Sequence, residues 1–94
     1  MNDYFRDVVR CLTIDDLRVM GYLLDNDSTT SFKAIKSNDV QKAIQMSEGT
    51  YRRIVYRLVA NRFVDIVTIQ KRNAIYITNY GVSALSESIE GVGA

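Results

Sequence analysis

The 94-residue sequence is 47% hydrophobic, has a formal net charge of +1, and contains one cysteine and no histidine. A chain of this length supports one small hydrophobic core, which predicts a single domain spanning residues 1–94. One cysteine excludes an intrachain disulfide, and the lack of histidine removes the commonest general base and metal ligand. We therefore predict a protein that is not an enzyme and holds neither a metal nor a cofactor.

The N-terminal segment, MNDYFRDVVR, is charged from Asp3 onward and has no continuous apolar stretch. We expect neither a signal peptide nor a membrane span, and hence a cytoplasmic protein without a membrane partner. Apolar residues within residues 1–12 recur at helical spacing, which predicts an N-terminal helix. This helix has more apolar surface than a peripheral helix needs, so we predict a homodimer interface formed by Tyr4, Phe5, Val8, Val9 and Leu12.

A second helix is predicted after residue 13. Thr13 and Asp16 have the spacing of a capping box, with Asp in place of the usual Glu or Gln. The stripe expected to face the core consists of Ile14, Leu17, Met20, Gly21 and Leu24. The polar run DNDSTTS ends this helix, because short polar side chains favour turns. FKAIK then fits a short strand or a turn of helix, and VQKAIQM predicts a short third helix.

The segment SEGTYRRIVYRLVANRFV, residues 47–64, contains four arginines and reads as a helix capped by Ser47. At helical spacing one side of it is apolar and is expected to face the core, with Tyr51, Ile54, Val55 and Leu58. The arginines and Tyr56 lie on the opposite side. The segment therefore predicts an anchored helix with an outward cationic face.

The remaining chain predicts a β-hairpin and a last helix. VDIVTIQ and AIYIT are rich in β-branched and aromatic residues and are separated by KRN, in which Asn73 suits the positive φ of a tight turn. Thr78 or Asn79 can cap the helix YGVSALSESI. Residues 90–94 are expected to form a flexible tail.

Charge is distributed unevenly along the chain. Residues 47–80 carry six basic and two acidic side chains, whereas the other residues carry six basic and nine acidic ones. A localised basic surface on an acidic body is typical of a protein that binds a polyanion. The alternative is an ordinary solvated helix face.

The order of short helix, turn, polar-faced helix and hairpin is the winged helix-turn-helix arrangement, which spans residues 13–85. The predicted fold class is thus mainly α with a small β-hairpin wing. In this arrangement the second helix enters the major groove of double-stranded DNA, and the wing lies along the backbone or minor groove. A near-neutral chain can bind DNA in this way, because only the helix and the wing need positive charge.

Side-chain chemistry assigns roles within this surface. Arg52 or Arg53 can bind guanine O6 and N7 with two hydrogen bonds, whereas Tyr56 and Arg57 are placed to contact phosphates. The predicted DNA-binding residues are Ser47, Gly49, Thr50, Arg52, Arg53, Tyr56, Arg57, Lys71, Arg72 and Asn73.

The segment MSEGTYRRIVYRLVANRFV, followed by a hairpin and IYITNYG, resembles the winged-helix proteins of the MarR and related regulator families. Their pattern Leu-Ser-x-x-Thr-x-x-x-Ile/Val-x-x-x-Leu, followed by Thr-x-x-Gly after the wing, is matched by Met46, Ser47, Thr50, Ile54, Leu58, Thr78 and Gly81. Arg62 occupies the place where a glycine usually makes the turn into the wing, so we expect Asn61 to adopt the left-handed conformation. The long terminal dimerisation helices of MarR proteins are lacking.

The length, the N-terminal helix, AIQMSEGT and AIYITNYGVSAL are similar to the TubR-type centromere-binding proteins. This resemblance implies a homodimer that binds repeated DNA sites for plasmid or phage segregation and links them to a filament of a tubulin-like GTPase. Two alternatives stay open. One is a transcriptional repressor or activator of a small operon, and the other is a winged helix used only for protein contact.

Overall fold

A computed structural model describes the backbone of residues 3–93 and the side chains of residues 4–89. Five helices and three strands follow one another along the described chain. They are α1 (Asp3–Arg10), α2 (Ile14–Asp25), β1 (Ile35–Lys36), α3 (Ser37–Ala43), α4 (Glu48–Ala60), β2 (Val64–Ile69), β3 (Arg72–Ile77) and α5 (Asn79–Gly93), with a 3₁₀ turn at Ser31–Lys33 before β1. The predicted winged helix-turn-helix fold is confirmed, with α3 and α4 as the helix pair.

Helix α2 begins with the predicted capping box. The Thr13 hydroxyl accepts from the backbone N–H of Asp16, and Asp16 Oδ2 accepts from the N–H of Thr13 at 2.8 Å. The predicted core stripe of α2 is wrong in part. Ile14 is 78% exposed and Leu24 is also exposed, whereas the buried side of the helix consists of Asp16, Val19, Met20 and Leu23.

Helix α4 has the predicted orientation. Ser47 caps it by accepting a hydrogen bond from the Thr50 N–H, and its buried residues are Tyr51, Ile54, Val55 and Leu58. Its end departs from the prediction, because Arg62 itself takes a positive φ of 63° while Asn61 has an ordinary φ of −87°. The N–H groups of Arg62 and Phe63 donate to the carbonyls of Val59 and Leu58, which is the pattern of a Schellman motif.

The wing is the hairpin β2–β3, and β3 lies at the centre of an antiparallel sheet of order β1-β3-β2. The tight turn consists of Gln70 and Lys71, whose φ values are 51° and 66°. Arg72 pairs with Ile69 across this turn. The predicted turn at KRN is therefore wrong by two residues, since Arg72 and Asn73 belong to β3.

Helix α5 starts as predicted, because the Thr78 hydroxyl accepts from the Gly81 N–H at 3.0 Å. The same hydroxyl donates toward the Arg62 carbonyl at 2.7 Å, which ties the start of α5 to the end of α4. The helix continues through Gly93, so that residues 90–93 are helical, and the flexibility predicted for residues 90–94 stays a prediction. Residue 94 lies outside the described part of the chain.

Helix α1 packs on α5 and joins the core. Phe5 is 2% exposed and lies edge-on to Tyr80, with ring centroids 5.1 Å apart, and Val9 is also buried. The assignment of Phe5 and Val9 to a dimer interface is therefore wrong, because they stabilise the protomer itself. Val8 and Leu12 are half-buried against the same core, and Tyr4 alone of the predicted five is largely exposed. The homodimer stays a prediction.

None of the helices in the described residues is long and apolar enough to cross a membrane.

Candidate nucleic-acid interface

The outward face of α4 carries exposed polar side chains opposite its buried stripe. Arg52, Arg53 and Tyr56 are all exposed, and Tyr56 is 63% exposed despite its aromatic ring. Gly49 is exposed at the start of this face, and a Cβ added there would meet no atom within 4 Å. The structure thus places the centre of the predicted DNA surface on one side of one helix.

The N-terminal end of α4 is fixed by local hydrogen bonds. Besides capping the backbone, the Ser47 hydroxyl donates to Thr50 Oγ1 at 2.9 Å. Both side chains are therefore engaged in the first turn of the helix. Their predicted role as DNA contacts stays a prediction.

The wing faces the same side of the molecule as one flank of α4. A cleft of about 350 Å³ lies between α4, β2–β3 and the start of α3. Arg52 and Tyr56 line it from the helix, whereas Arg72 and Asn73 line it from the wing. Four predicted site residues from two separate elements therefore come together around one cleft, and Lys71 is exposed at the nearby turn.

The cations of this surface differ in how they are engaged. Arg52 Nη2 lies 2.6 Å from Glu48 Oε1, one turn earlier on α4. The side chains of Arg53, Lys71 and Arg72 make no ion pair or hydrogen bond with the other described residues. A guanidinium or ammonium group without an internal partner keeps its full attraction for an external anion.

Arg57 is also exposed, but it differs from the other arginines of α4 in being tied to α2. Its Nη2 donates to Asp16 Oδ1 at 2.6 Å, and that carboxylate is wholly buried beneath α4. The predicted phosphate contact of Arg57 stays a prediction, because its side chain is 43% exposed although one guanidinium nitrogen is engaged with α2. Sequence reasoning missed Asp16 as its partner, since the two residues lie 41 positions apart.

A second residue missed in the sequence is Glu48, which lines the cleft from the first turn of α4. Helix periodicity places it beside Arg52 and could have identified it. The third is Lys36, which lines the cleft from the end of β1. Its position could not be read from the sequence, because the segment FKAIK was ambiguous between strand and helix.

At the base of the cleft lies Tyr51, whose hydroxyl is buried and has no hydrogen-bond partner among the described residues. Burial raises the pKa of Tyr51 above its ordinary value, while the neighbouring Ser37 side chain acts in the opposite direction. The phenol is therefore uncharged at neutral pH and supplies no charge to the surface.

Within the described residues, no three His, Cys, Asp or Glu side chains are grouped so that they could hold a metal ion. The chemistry that this surface offers is the attraction of its unpaired cations and the hydrogen bonding of its guanidinium, amide and hydroxyl groups. Such a surface suits a polyanion with a repeating backbone.

Comparison with known proteins reveals one relative similar over nearly the whole chain. The DNA-binding protein TubR of Priestia megaterium is 36% identical over 89 residues, which are 95% of this chain and 88% of that protein. The solved structure of TubR from Bacillus megaterium pBM400 has a TM-score of 0.88 at 35% identity and covers 94% of this chain and 98% of the other.

More distant structures share the fold alone. The complex of MepR from Staphylococcus aureus with DNA has a TM-score of 0.71 at 18% identity, over 87% of this chain and 58% of MepR. PcaV from Streptomyces coelicolor, solved with its natural ligand, has a TM-score of 0.75 at 15% identity, over 87% and 56% of the two chains. No protein-family model matches the sequence. The identity to TubR and the coverage of both chains establish that this chain belongs to the TubR family.

Proposed function

We propose that this protein binds double-stranded DNA in a sequence-specific manner, with α4 in the major groove and the wing on the backbone or minor groove. The observation that carries the proposal is the convergence of Arg52 from α4 and Arg72 from the wing around one cleft, in a chain with a net charge of only +1. Helix α4, which is anchored by four buried residues, holds Arg52 and Arg53 at fixed positions. Fixed donors are what reading a base edge requires.

The relatives support the same reading. The family member TubR is described as a DNA-binding protein, and MepR, which shares the fold, has been solved in complex with DNA. In this chain the free cations Arg53, Lys71 and Arg72 supply the sequence-independent attraction for phosphates. Arg57 adds less to that attraction, since the Asp16 carboxylate offsets its charge.

On the basis of the resemblance to the TubR-type proteins, we propose that the biological role is that of a cytoplasmic centromere-binding adaptor. A homodimer would bind repeated DNA sites and link them to a filament of a tubulin-like GTPase. Two copies double the contact that one short helix can make, which favours a dimer for specific binding. The protein would perform no catalysis of its own.

A mobility-shift experiment tests the DNA-binding proposal on the intergenic DNA upstream of the protein's own gene, at two salt concentrations. The variants are Arg53→Ala and Arg72→Ala. The matched control is Arg6→Ala, because Arg6 lies on α1 and is paired with Glu87. We expect each of the first two variants to weaken binding and to reduce the salt dependence by about one phosphate contact, and the control to bind normally.

The pattern of complexes tests the biological role. A ladder of discrete complexes on repeated sites supports the segregation adaptor, whereas one retarded band supports a transcriptional repressor. Binding that is indifferent to both Arg53 and Arg72 contradicts the proposed surface.

A further inference from the structure

Glu48 is the one acidic residue of α4, and it lies in the first turn of the helix on the surface proposed to meet DNA. Its side chain is 72% exposed and lines the cleft between α4 and the wing. The carboxylate Oε1 accepts a hydrogen bond from Arg52 Nη2 at 2.6 Å. A negative charge at this position requires an explanation, because it repels the phosphates that the neighbouring arginines attract.

Helix stability gives one explanation, since a carboxylate near a helix N-terminus interacts favourably with the helix dipole. The first turn of α4 is already capped by Ser47, however, and an aspartate or glutamate elsewhere in the turn would have the same effect away from the cleft. The dipole therefore accounts for an acidic residue in the first turn, but not for its place beside Arg52 and the wing.

Base recognition gives a more specific explanation. The N-terminal residues of a helix in the major groove are the ones that meet base edges. A carboxylate accepts a hydrogen bond from the N4 amino group of cytosine, whereas the O6 and N7 atoms of guanine and the O4 atom of thymine are acceptors and repel it. The same group is thus favourable at the cytosine amino group, meets both a donor (N6) and an acceptor (N7) at adenine, and is unfavourable at guanine and thymine.

We propose that Glu48 is a specificity-determining residue, which accepts a hydrogen bond from a cytosine amino group in the major groove and weakens binding to DNA that lacks a cytosine there. This inference rests on the proposed DNA-binding function and extends it to a particular base. It also gives different roles to the two adjacent arginines. Arg52 is neutralised and oriented by Glu48, so that it contributes mainly at the correct site, whereas the unpaired Arg53 attracts any DNA.

The experiment compares the wild-type protein with Glu48→Ala on two DNAs of equal length, the bound intergenic site and a random sequence, at one salt concentration. We expect the variant to bind random DNA several-fold more tightly, because a repulsive charge is removed. We expect the ratio of specific to random affinity to fall about tenfold, because a base contact is lost. An unchanged ratio overturns the inference, whether both affinities stay the same or both fall equally.

Base substitutions in the site identify the contact. Replacing each C·G pair in turn by T·A should reveal one position at which the wild-type protein loses about tenfold in affinity and Glu48→Ala loses nothing. If no position shows this coupling, the inference is wrong. Thermal unfolding of the Glu48→Ala variant measures the contribution of Glu48 to helix stability. A change in helix stability by itself cannot change a base preference.

Glu87→Ala is the matched control, because Glu87 is also paired with an arginine but lies on α5. It makes the same change in net charge, and its ratio of specific to random affinity should equal that of the wild-type protein. A wild-type protein that does not distinguish its own site from random DNA contradicts the proposed function as well. A wild-type protein that does, with a Glu48→Ala variant that discriminates equally, overturns the role of Glu48 alone.

Discussion

The Arg57 guanidinium on α4 is held by the Asp16 carboxylate on α2, with Nη2 and Oδ1 separated by 2.6 Å. Asp16 is completely buried, whereas the Arg57 side chain is 43% exposed. The other carboxylate oxygen, Oδ2, accepts from the Thr13 N–H. One aspartate therefore caps α2 and holds the last turn of the helix proposed to bind DNA.

Asp16→Ala should lower the free energy of unfolding by about 2–3 kcal/mol, because it removes half of the capping box and leaves Arg57 without its partner. The exposed side of Arg57 remains solvated, which keeps the loss below that of a fully buried pair. Asp15→Ala is the matched control, since Asp15 pairs with Arg18 at the surface, and should cost less than about 1 kcal/mol. Urea denaturation measures both, and equal losses would show that the buried pair has no special role.

Gly81→Ala should destabilise the protein by about 3 kcal/mol. A Cβ at Gly81 would overlap the carbonyl oxygen of Phe63 and lie 2.7 Å from Ile77 Cγ1, so that α5 would have to move away from the end of α4. Gly49→Ala, also in the first turn of a helix, meets no atom within 4 Å and should stabilise α4 by about 0.5 kcal/mol. Thermal or urea unfolding checks both changes, and a neutral Gly81→Ala would mean that the close approach is not needed.

The structural features that depend on residues close together in the sequence are predictable from the sequence. The buried stripe of α4, its cap at Ser47 and the cap of α5 at Thr78 each depend on residues within a few positions of one another. The hairpin followed from two β-branched segments of suitable length. Its turn was misplaced because Gln70 and Lys71 adopt positive φ values that their residue types disfavour.

The predictions that are wrong depend on contacts between residues that lie far apart in the sequence. Asp16 is polar and yet buried. The spacing of apolar residues therefore predicts that Ile14 and Leu24 face the core, whereas the structure buries Val19 and Leu23. Periodicity could not show that Arg57 neutralises Asp16. Likewise, helical spacing predicts that Phe5 and Val9 of α1 share an apolar face, but it cannot show that this face packs on α5 of the same chain.

Arg62→Gly should raise the free energy of unfolding by about 0.5–1 kcal/mol. Arg62 has a φ of 63°, a left-handed conformation that costs any residue with a Cβ and costs glycine nothing. Asn61→Gly is the matched change one residue earlier, where φ is −87° and the side chain donates to the Arg57 carbonyl at 3.1 Å. It should lower stability by a similar amount. Stabilisation by Asn61→Gly, or destabilisation by Arg62→Gly, would contradict the assigned conformations.

Tyr51→Phe should raise stability at neutral pH by about 1 kcal/mol, because it removes a buried hydroxyl that has no partner among the described residues and keeps the ring in the core. Tyr22→Phe, on half-buried Tyr22 of α2, should change stability little and controls for the loss of a phenol. Urea denaturation of the two variants beside the wild-type protein measures the difference. A loss of stability in Tyr51→Phe would show that the hydroxyl makes a favourable contact.

The same variant should alter the dependence of stability on alkaline pH. Burial raises the pKa of Tyr51 above the value of 10.0 that it has in the unfolded chain, so the folded state disfavours its ionised form. Its contribution to stability is therefore complete below pH 10 and is lost as the pH rises through and beyond that value. The pKa of Tyr76 is raised too, by burial first and then by Asp65, but Tyr76 is present in both proteins. Wild-type stability should consequently fall more steeply above pH 10 than that of Tyr51→Phe, and parallel curves would show that Tyr51 ionises as freely in the folded state as in the unfolded chain.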